Sequence, residues 1–281
     1  MSEIAIVGVN TLGGSLAHKI ATRGRFDRIS LIDTGEDIAA GTALDIQQTA
    51  AIEPFQTTIT SHTDLSYATQ ADVVVLTQDL LSQENENSAI ATLAELGRIN
   101  RQAVFLCASH THRNIVNRGA LESGIARQRL IGTAPAAIKP ALQALIALEL
   151  NTSPSEISLA VLGTPPEHIV IPWNSATVGG LALKYQFSLN NFSRFKSRTK
   201  LLWPPGPYAI ASVTTRICEA VISGAPLKKV TCFVELNGEF GVKGSTTAVP
   251  IDIDRTGITN IVEPVLTQQE RTQLGTALSI S

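Results

Sequence analysis

With 281 residues, 44% of them apolar and 16% charged, the chain can bury one large α/β core or two lobes sharing one, and long disordered stretches are excluded. A formal net charge of -2 gives no electrostatic reason to expect nucleic acid or an anionic membrane as partner. No apolar run reaches the roughly 20 residues that span a bilayer.

The N-terminal Met1-Ser2-Glu3 leads straight into an apolar run, with no basic region followed by a cleavage site. Cys107, Cys218 and Cys232 form no CxxC pair, so reduced, buried thiols in a cytoplasmic protein are expected. The chain then passes from Ile4-Ala5-Ile6-Val7 through Gly8-Val9-Asn10-Thr11-Leu12-Gly13 into helical periodicity over 12–22. Asp33 closes the next apolar run, Ile29-Ser30-Leu31-Ile32.

That is the layout of a dinucleotide-binding βαβ unit. Gly8 serves the tight turn, Gly13 serves the helix–strand contact, and the helix N-terminus faces pyrophosphate. Asp33 is placed for ribose hydroxyls and disfavours a 2′-phosphate. Asn10 stands at the middle glycine of the fingerprint, where a side chain intrudes on the pyrophosphate although Asn tolerates the turn.

Short apolar runs predict strands at 3–9, 28–32, 72–77, 103–108 and 130–132, each without period-2 alternation, as in parallel strands covered on both faces. Helical periodicity fits 12–22, 41–49, 88–99, 113–124 and 137–150. Alternation of this kind predicts a doubly wound parallel sheet, because parallel strands need crossover helices.

Beyond it, 157–162 reads as a strand and 209–222 as a helix. Segments 229–236 and 242–254 read as antiparallel strands joined through Asn237-Gly238. A last helix over 267–279 opens with Thr267 and Glu270 in capping-box spacing. The fold class expected is therefore a Rossmann-type doubly wound sheet followed by an α+β lobe with antiparallel strands. The boundary falls between residues 1–134 and 135–281, with a cleft near 133–137.

The order of these segments resembles the lactate/malate dehydrogenase family, closer to its malate-type members, over nearly the whole chain. Gly41-Thr42-Ala43-Leu44-Asp45-Ile46 is similar to the family's next helix, and Ala71–Thr77 to the strand before its active-site loop. Arg129–Thr133, Val161-Leu162-Gly163, Leu236–Gly241 and Val249-Pro250 follow at the family's spacing. The resemblance implies NAD as cofactor, a symmetric dimer or tetramer, and a histidine proton carrier oriented by an aspartate. It also implies arginines that polarise the carbonyl and clamp a carboxylate, since hydride transfer to a ketone builds alkoxide charge.

On that pattern Pro165 stands at the histidine, Ile138 at the aspartate, Ala141 at the clamp arginine and His110 at the asparagine of the Asn-Pro-x-Asp turn. The segment Gln78–Asn87 is shorter than the family's mobile loop, contains no arginine and holds three acids, so the water-excluding lid is expected to be missing. A second contraction lies between Val178 and Gly206.

His168, three positions beyond Pro165, should face away from the site. Asp79 adds a carboxylate near the phosphates. Cys107, His110 and His112 offer three metal ligands with no fourth, so no metal is expected. The run Arg194–Lys200 reads as a solvated face, and Trp173, Phe187 and Trp203 as core.

The expectation is a dehydrogenase-like protein that has lost catalysis and acts as a homo-oligomer, scaffold or partner subunit, with no cofactor or only weak NAD. Two rivals stand beside it. One is an NAD-dependent oxidoreductase with relocated residues acting on an uncharged carbonyl, and the other is an NAD-binding regulator without turnover.

Overall fold

The computed structural model describes residues 1–78, 82–187, 194–195 and 197–279. Its first half alternates β1 (Glu3–Val7), α1 (Thr11–Arg23), β2 (Arg28–Ile32), α2 (Glu36–Thr49), β3 (Thr58–His62), β4 (Val73–Leu76), α3 (Gln83–Ile99), β5 (Val104–Cys107), α4 (Arg113–Glu122) and β6 (Leu130–Gly132). These six strands are parallel in the order β3-β2-β1-β4-β5-β6, with register pairs such as Ile6 with Leu31 and Ile6 with Val75. The sequence switches direction across the sheet between β1 and β4. In open α/β sheets, ligands settle at such a switch point, beyond the carboxyl ends of the strands.

The second half contains α5 (Ile138–Leu150), β7 (Ile157–Ser158), β8 (Leu162–Thr164), β9 (His168–Val170), β10 (Thr177–Val178), β11 (Leu181–Ala182), α6 (Pro207–Ser223), β12 (Leu227–Asn237), β13 (Lys243–Asp254), β14 (Gly257–Ile261) and α7 (Gln268–Ser279). The sheet does not stop at β6. It continues as β12-β13-β8-β9, with Phe233 of β12 paired antiparallel to Gly132 and β14 on the other side of β13. Gly132 permits this join, because a Cβ there would lie 2.7 Å from that of Phe233. The short strands β11-β10-β7 form a separate small sheet.

Local chemistry explains most element ends. Helix α1 buries Leu12, Leu16 and Ile20 on one stripe and ends at Gly24, whose φ of 59° needs no side-chain accommodation. The β12–β13 turn carries Gly238 at φ 121°. At α7 the capping box is formed in both directions: the Glu270 amide donates to Thr267 Oγ1 (3.3 Å) and the Thr267 amide to Glu270 Oε2 (2.8 Å). The other Glu270 oxygen accepts from the Trp173 amide at 3.2 Å, fixing α7 against the β9 end.

Three expectations need correction. Strand β3 carries Thr58, Thr60, Ser61 and His62, too polar to register as an apolar run, yet it closes the sheet edge beside β2. The segment 157–162 is two strands in different sheets, because the chain breaks direction between Ser158 and Leu162. Much of the segment expected as a loop before 88 is helix: Ser82 Oγ caps α3 by accepting from the Asn85 amide at 3.2 Å.

Candidate functional site

The carboxyl end of β1 is held by contacts that leave little freedom. Gly8 has φ 92°, and a Cβ on Gly13 would stand 2.4 Å from the Gly8 carbonyl oxygen, so α1 sits directly on the turn. Thr77, after β4, donates its hydroxyl to the Gly8 carbonyl.

Asn10 is the N-cap of α1, with φ −91°, so no left-handed conformation is used. Its Oδ1 accepts from the Gly13 amide at 2.9 Å and its Nδ2 donates to the Thr77 carbonyl at 2.9 Å. The side chain thus bridges the β1 and β4 ends and takes an amide from the helix N-terminus that otherwise faces an anion. Asp33 Oδ2 accepts from the Val9 amide at 2.6 Å and Oδ1 from the Gly35 amide at 2.9 Å.

The adenine-ribose side of a dinucleotide fits this arrangement, since carboxylate oxygens keep lone pairs for ribose hydroxyls. At the pyrophosphate side Asn10 already takes the Gly13 amide, so a phosphate would compete with it for that donor. Asp79, Leu80 and Leu81 lie outside the described residues.

At the β5 end, His112 is almost wholly buried. Its Nδ1 accepts from the Ser109 amide at 3.3 Å, and its Nε2 faces the Gln78 carbonyl at 2.6 Å, so Nε2 must carry the proton. Both nitrogens are committed to backbone, and burial pushes the neighbouring Cys107 thiol up to about 12. That leaves neither a ready metal ligand nor a thiolate. Among the described residues no cluster of three or more His, Cys, Asp or Glu could hold a metal.

His110 instead meets the edge of Trp203, ring centroids 6.3 Å apart, and Trp203 meets Phe233 at 5.9 Å. Trp203 is half-buried and touches all three apolar clusters of the molecule. It therefore packs where the β5 and β6 ends, the α5 cluster and β12 converge. Sequence reasoning placed Trp203 in the core but could not see that it packs beside His110.

Pro165 is buried in the turn after β8. Ile138 is fully buried at the start of α5, and Ala141 is half-buried one turn on. None carries a titratable or hydrogen-bonding side chain. Glu167 is exposed and ion-paired with Lys200. His168 pairs across the strands with Thr164, whose hydroxyl bonds Thr247 Oγ1 (3.3 Å) and the Ala277 carbonyl of α7 (3.3 Å). The Arg194–Lys200 run is partly anchored: Arg194 pairs with Glu149 at 2.7 Å, and Phe195 is buried between Trp173 and Phe187, while Lys196 lies outside the described residues.

One cation escaped sequence reasoning. Arg113 opens α4, donates from Nε to the Thr246 carbonyl of β13 at 2.8 Å, and holds Nη2 buried with no hydrogen-bond partner among the described residues. Burial lowers its pKa. Nothing in the string Thr111-His112-Arg113 marks it, because its partner is 133 residues away.

Comparison with known proteins matches residues 2–87 to the family model of the lactate/malate dehydrogenase NAD binding domain. A malate dehydrogenase of Cytophaga hutchinsonii is 26% identical over 98% of this chain and 94% of its own length. One of Sulfurimonas denitrificans is 26% identical over 96% and 90%. Among solved structures, the Cryptosporidium parvum lactate dehydrogenase complexed with lactic acid and nicotinamide adenine dinucleotide superposes with a TM-score of 0.93, at 21% identity over 99% of this chain and 95% of that one. The malate dehydrogenase of Aeropyrum pernix gives 0.92 at 21% identity, over 99% and 95%.

Proposed function

From the premise that the chain is a relative of the lactate and malate dehydrogenases, we propose that it keeps their frame without their reaction and acts by binding or assembly, as a homo-oligomer or a partner subunit. The observation that carries this reading is Pro165. A buried imino acid with no proton to give stands in the sequence position of the family's proton carrier. Loss of one acid/base group forfeits about 10²–10⁴ in rate, and here Ile138 and Ala141 replace the orienting acid and the clamp as well. Residues 1–134 form the dinucleotide-binding unit and 135–281 the C-terminal lobe. NAD binds weakly or not at all. Three free, buried cysteines agree with a reducing, cytoplasmic setting, and no described helix is long and apolar enough to cross a membrane.

A second reading has its own support: an NAD-dependent oxidoreductase acting on an uncharged carbonyl with relocated residues. The names of the relatives favour it, and Gly8, Gly13 and Asp33 are retained. Near Thr246, Arg113 Nη2 has no acceptor among the described residues.

The deciding experiment is NADH titration by fluorescence and calorimetry, with consumption assays on 2-oxo acids and uncharged carbonyls and light scattering for assembly. Turnover lost in His110→Ala or His168→Ala supports the oxidoreductase. Saturable binding abolished by Asp33→Ala, without turnover, supports a regulator. A persistent oligomer with neither supports the reading adopted here.

A further inference from the structure

Away from the nucleotide end, a cavity of about 230 Å³ opens between α5, α6 and β12. Four cations line it: Lys139 from α5, Arg216 from α6, and Lys228 and Lys229 from β12. Among the described residues no carboxylate lines it. None of the four forms an ion pair with a described residue, although other cations of the molecule do, as in Arg23–Glu219 and Arg127–Glu239.

Two of the four, Lys139 and Lys229, sit where local physics opposes them, while Arg216 and Lys228 are exposed at the rim. Lys139 is the second residue of α5, at the positive end of a 13-residue helix with no acid in its first turn. Burial lowers its pKa, and Lys229 and Arg216 lower it further. Lys229 has φ 54°, a left-handed conformation that is strained for a non-glycine residue. It lies where the β12–β13 register shifts between Leu227 and Val230, an irregularity of the kind that re-aims side chains. The Asp252 carboxylate of β13 is held by hydrogen bonds: Oδ1 accepts from the Lys229 backbone amide at 2.9 Å and Oδ2 from the Asn260 side-chain amide at 3.3 Å. Three elements far apart in sequence thus converge like charges at one concave place, and none of these side chains forms an ion pair with a described residue.

We propose that this cavity is a binding site for a small phosphate-bearing anion, separate from the dinucleotide region. The volume lies below the roughly 300–1,000 Å³ of drug-sized pockets, which suits a phosphorylated small molecule or pyrophosphate rather than a dinucleotide. An arginine with three lysines supplies a bidentate fork plus point charges, the combination that phosphate oxygens take up. The site stands whether or not NAD binds.

The test is calorimetric titration of the full-length protein with pyrophosphate at low salt, with malonate as a dicarboxylate control, alongside thermal melts. Expected is saturable one-to-one binding that raises the melting temperature, weakens at least tenfold in Lys139→Gln and in Arg216→Gln, and persists in Asp33→Ala. Lys139→Gln should also melt higher than wild type without ligand, because it relieves the repulsion. Absence of saturable binding at millimolar pyrophosphate, or binding indifferent to both substitutions, overturns the site. Equal affinity for malonate overturns the assignment to phosphate.

Discussion

Replacing Asn10 by glycine should restore a pyrophosphate-accepting helix N-terminus. In the native chain a ligand phosphate must first displace the Asn10 side chain from the Gly13 amide and the Thr77 carbonyl. Each of those hydrogen bonds has a net worth of about 0.5–1.5 kcal/mol. Together they impose a penalty of about 1–3 kcal/mol, which at 1.4 kcal/mol per decade weakens binding roughly 5- to 150-fold. The fold loses the same side-chain bridge: glycine caps nearly as well as asparagine and costs a few tenths of a kcal/mol there, but the bond to the Thr77 carbonyl goes with the side chain, a further loss of about 0.5–1.5 kcal/mol. Asn10→Gly should therefore bind NADH at least about fivefold more tightly than wild type while melting lower than it. Asn10→Ala keeps a Cβ at the close approach and caps less well than glycine, so it should gain less affinity and lose more stability. Fluorescence titration of NADH against the three proteins reads the difference. Equal or weaker binding by the glycine variant would refute the claim that Asn10 is what closes the phosphate end.

Gly163 has φ 100°, and a Cβ there would stand 2.0 Å from the His168 carbonyl oxygen. Gly163→Ala should cost about 2–4 kcal/mol in urea unfolding through strain and overpacking, and a loss below about 0.5 kcal/mol would contradict the β8–β9 turn described. Burial pushes the Glu235 carboxyl up, with Glu239 adding to this and Arg127 and the Gly244 amide opposing it. The folded state therefore holds that proton to higher pH than the unfolded chain. Its contribution is complete below the ordinary glutamate value of about 4.3 and lost as pH rises through the raised folded value. Glu235→Gln should thus be more stable than wild type at neutral pH, with the gap closing in acid; a gap that widens in acid contradicts the sign. Burial pushes all three thiols up, so an aromatic disulfide reagent should modify none in the native protein and three after denaturation.

Much of the frame was legible in sequence because it rests on local signals. Apolar runs located five of the six parallel strands, Asn237-Gly238 located the hairpin, and Thr267 with Glu270 located the start of α7. Strand β3 was not legible, since an edge strand with one half-exposed face needs few apolar residues. The start of α3 was hidden because Gln83-Glu84-Asn85-Glu86-Asn87 is polar all round, and only the Ser82 cap marks it. At the site, substitutions could be read against a resemblance, but couplings could not. The Asn10–Thr77 bridge joins positions 67 residues apart, and the Arg113–Thr246 bond joins positions 133 apart. Trp203 beside His110, and the meeting of Lys139, Arg216 and Lys229, follow from topology that no spacing expresses.

The residues retained at the nucleotide end bear less on cofactor binding than their fingerprint suggests, because each has work in the fold. Gly13 must lack a Cβ to clear the Gly8 carbonyl, and Gly8 must occupy φ 92° to turn the chain from β1 into α1. Asp33 accepts two backbone amides that join the β1 and β2 ends. Losing any of them damages packing whether or not NAD is present, so their persistence follows from stability alone. On the alignment proposed above, Pro165, Ile138 and Ala141 stand where a dehydrogenase needs charge or a proton, and they are apolar groups that the core accepts readily. On that proposal, frame and chemistry depend on different residues, and retention of the first does not argue for retention of the second. The glycine fingerprint is consequently weak support for an active enzyme. The occupant of the phosphate end, Asn10, is the more informative residue, because it spends hydrogen bonds on a place that a cofactor-dependent enzyme keeps empty.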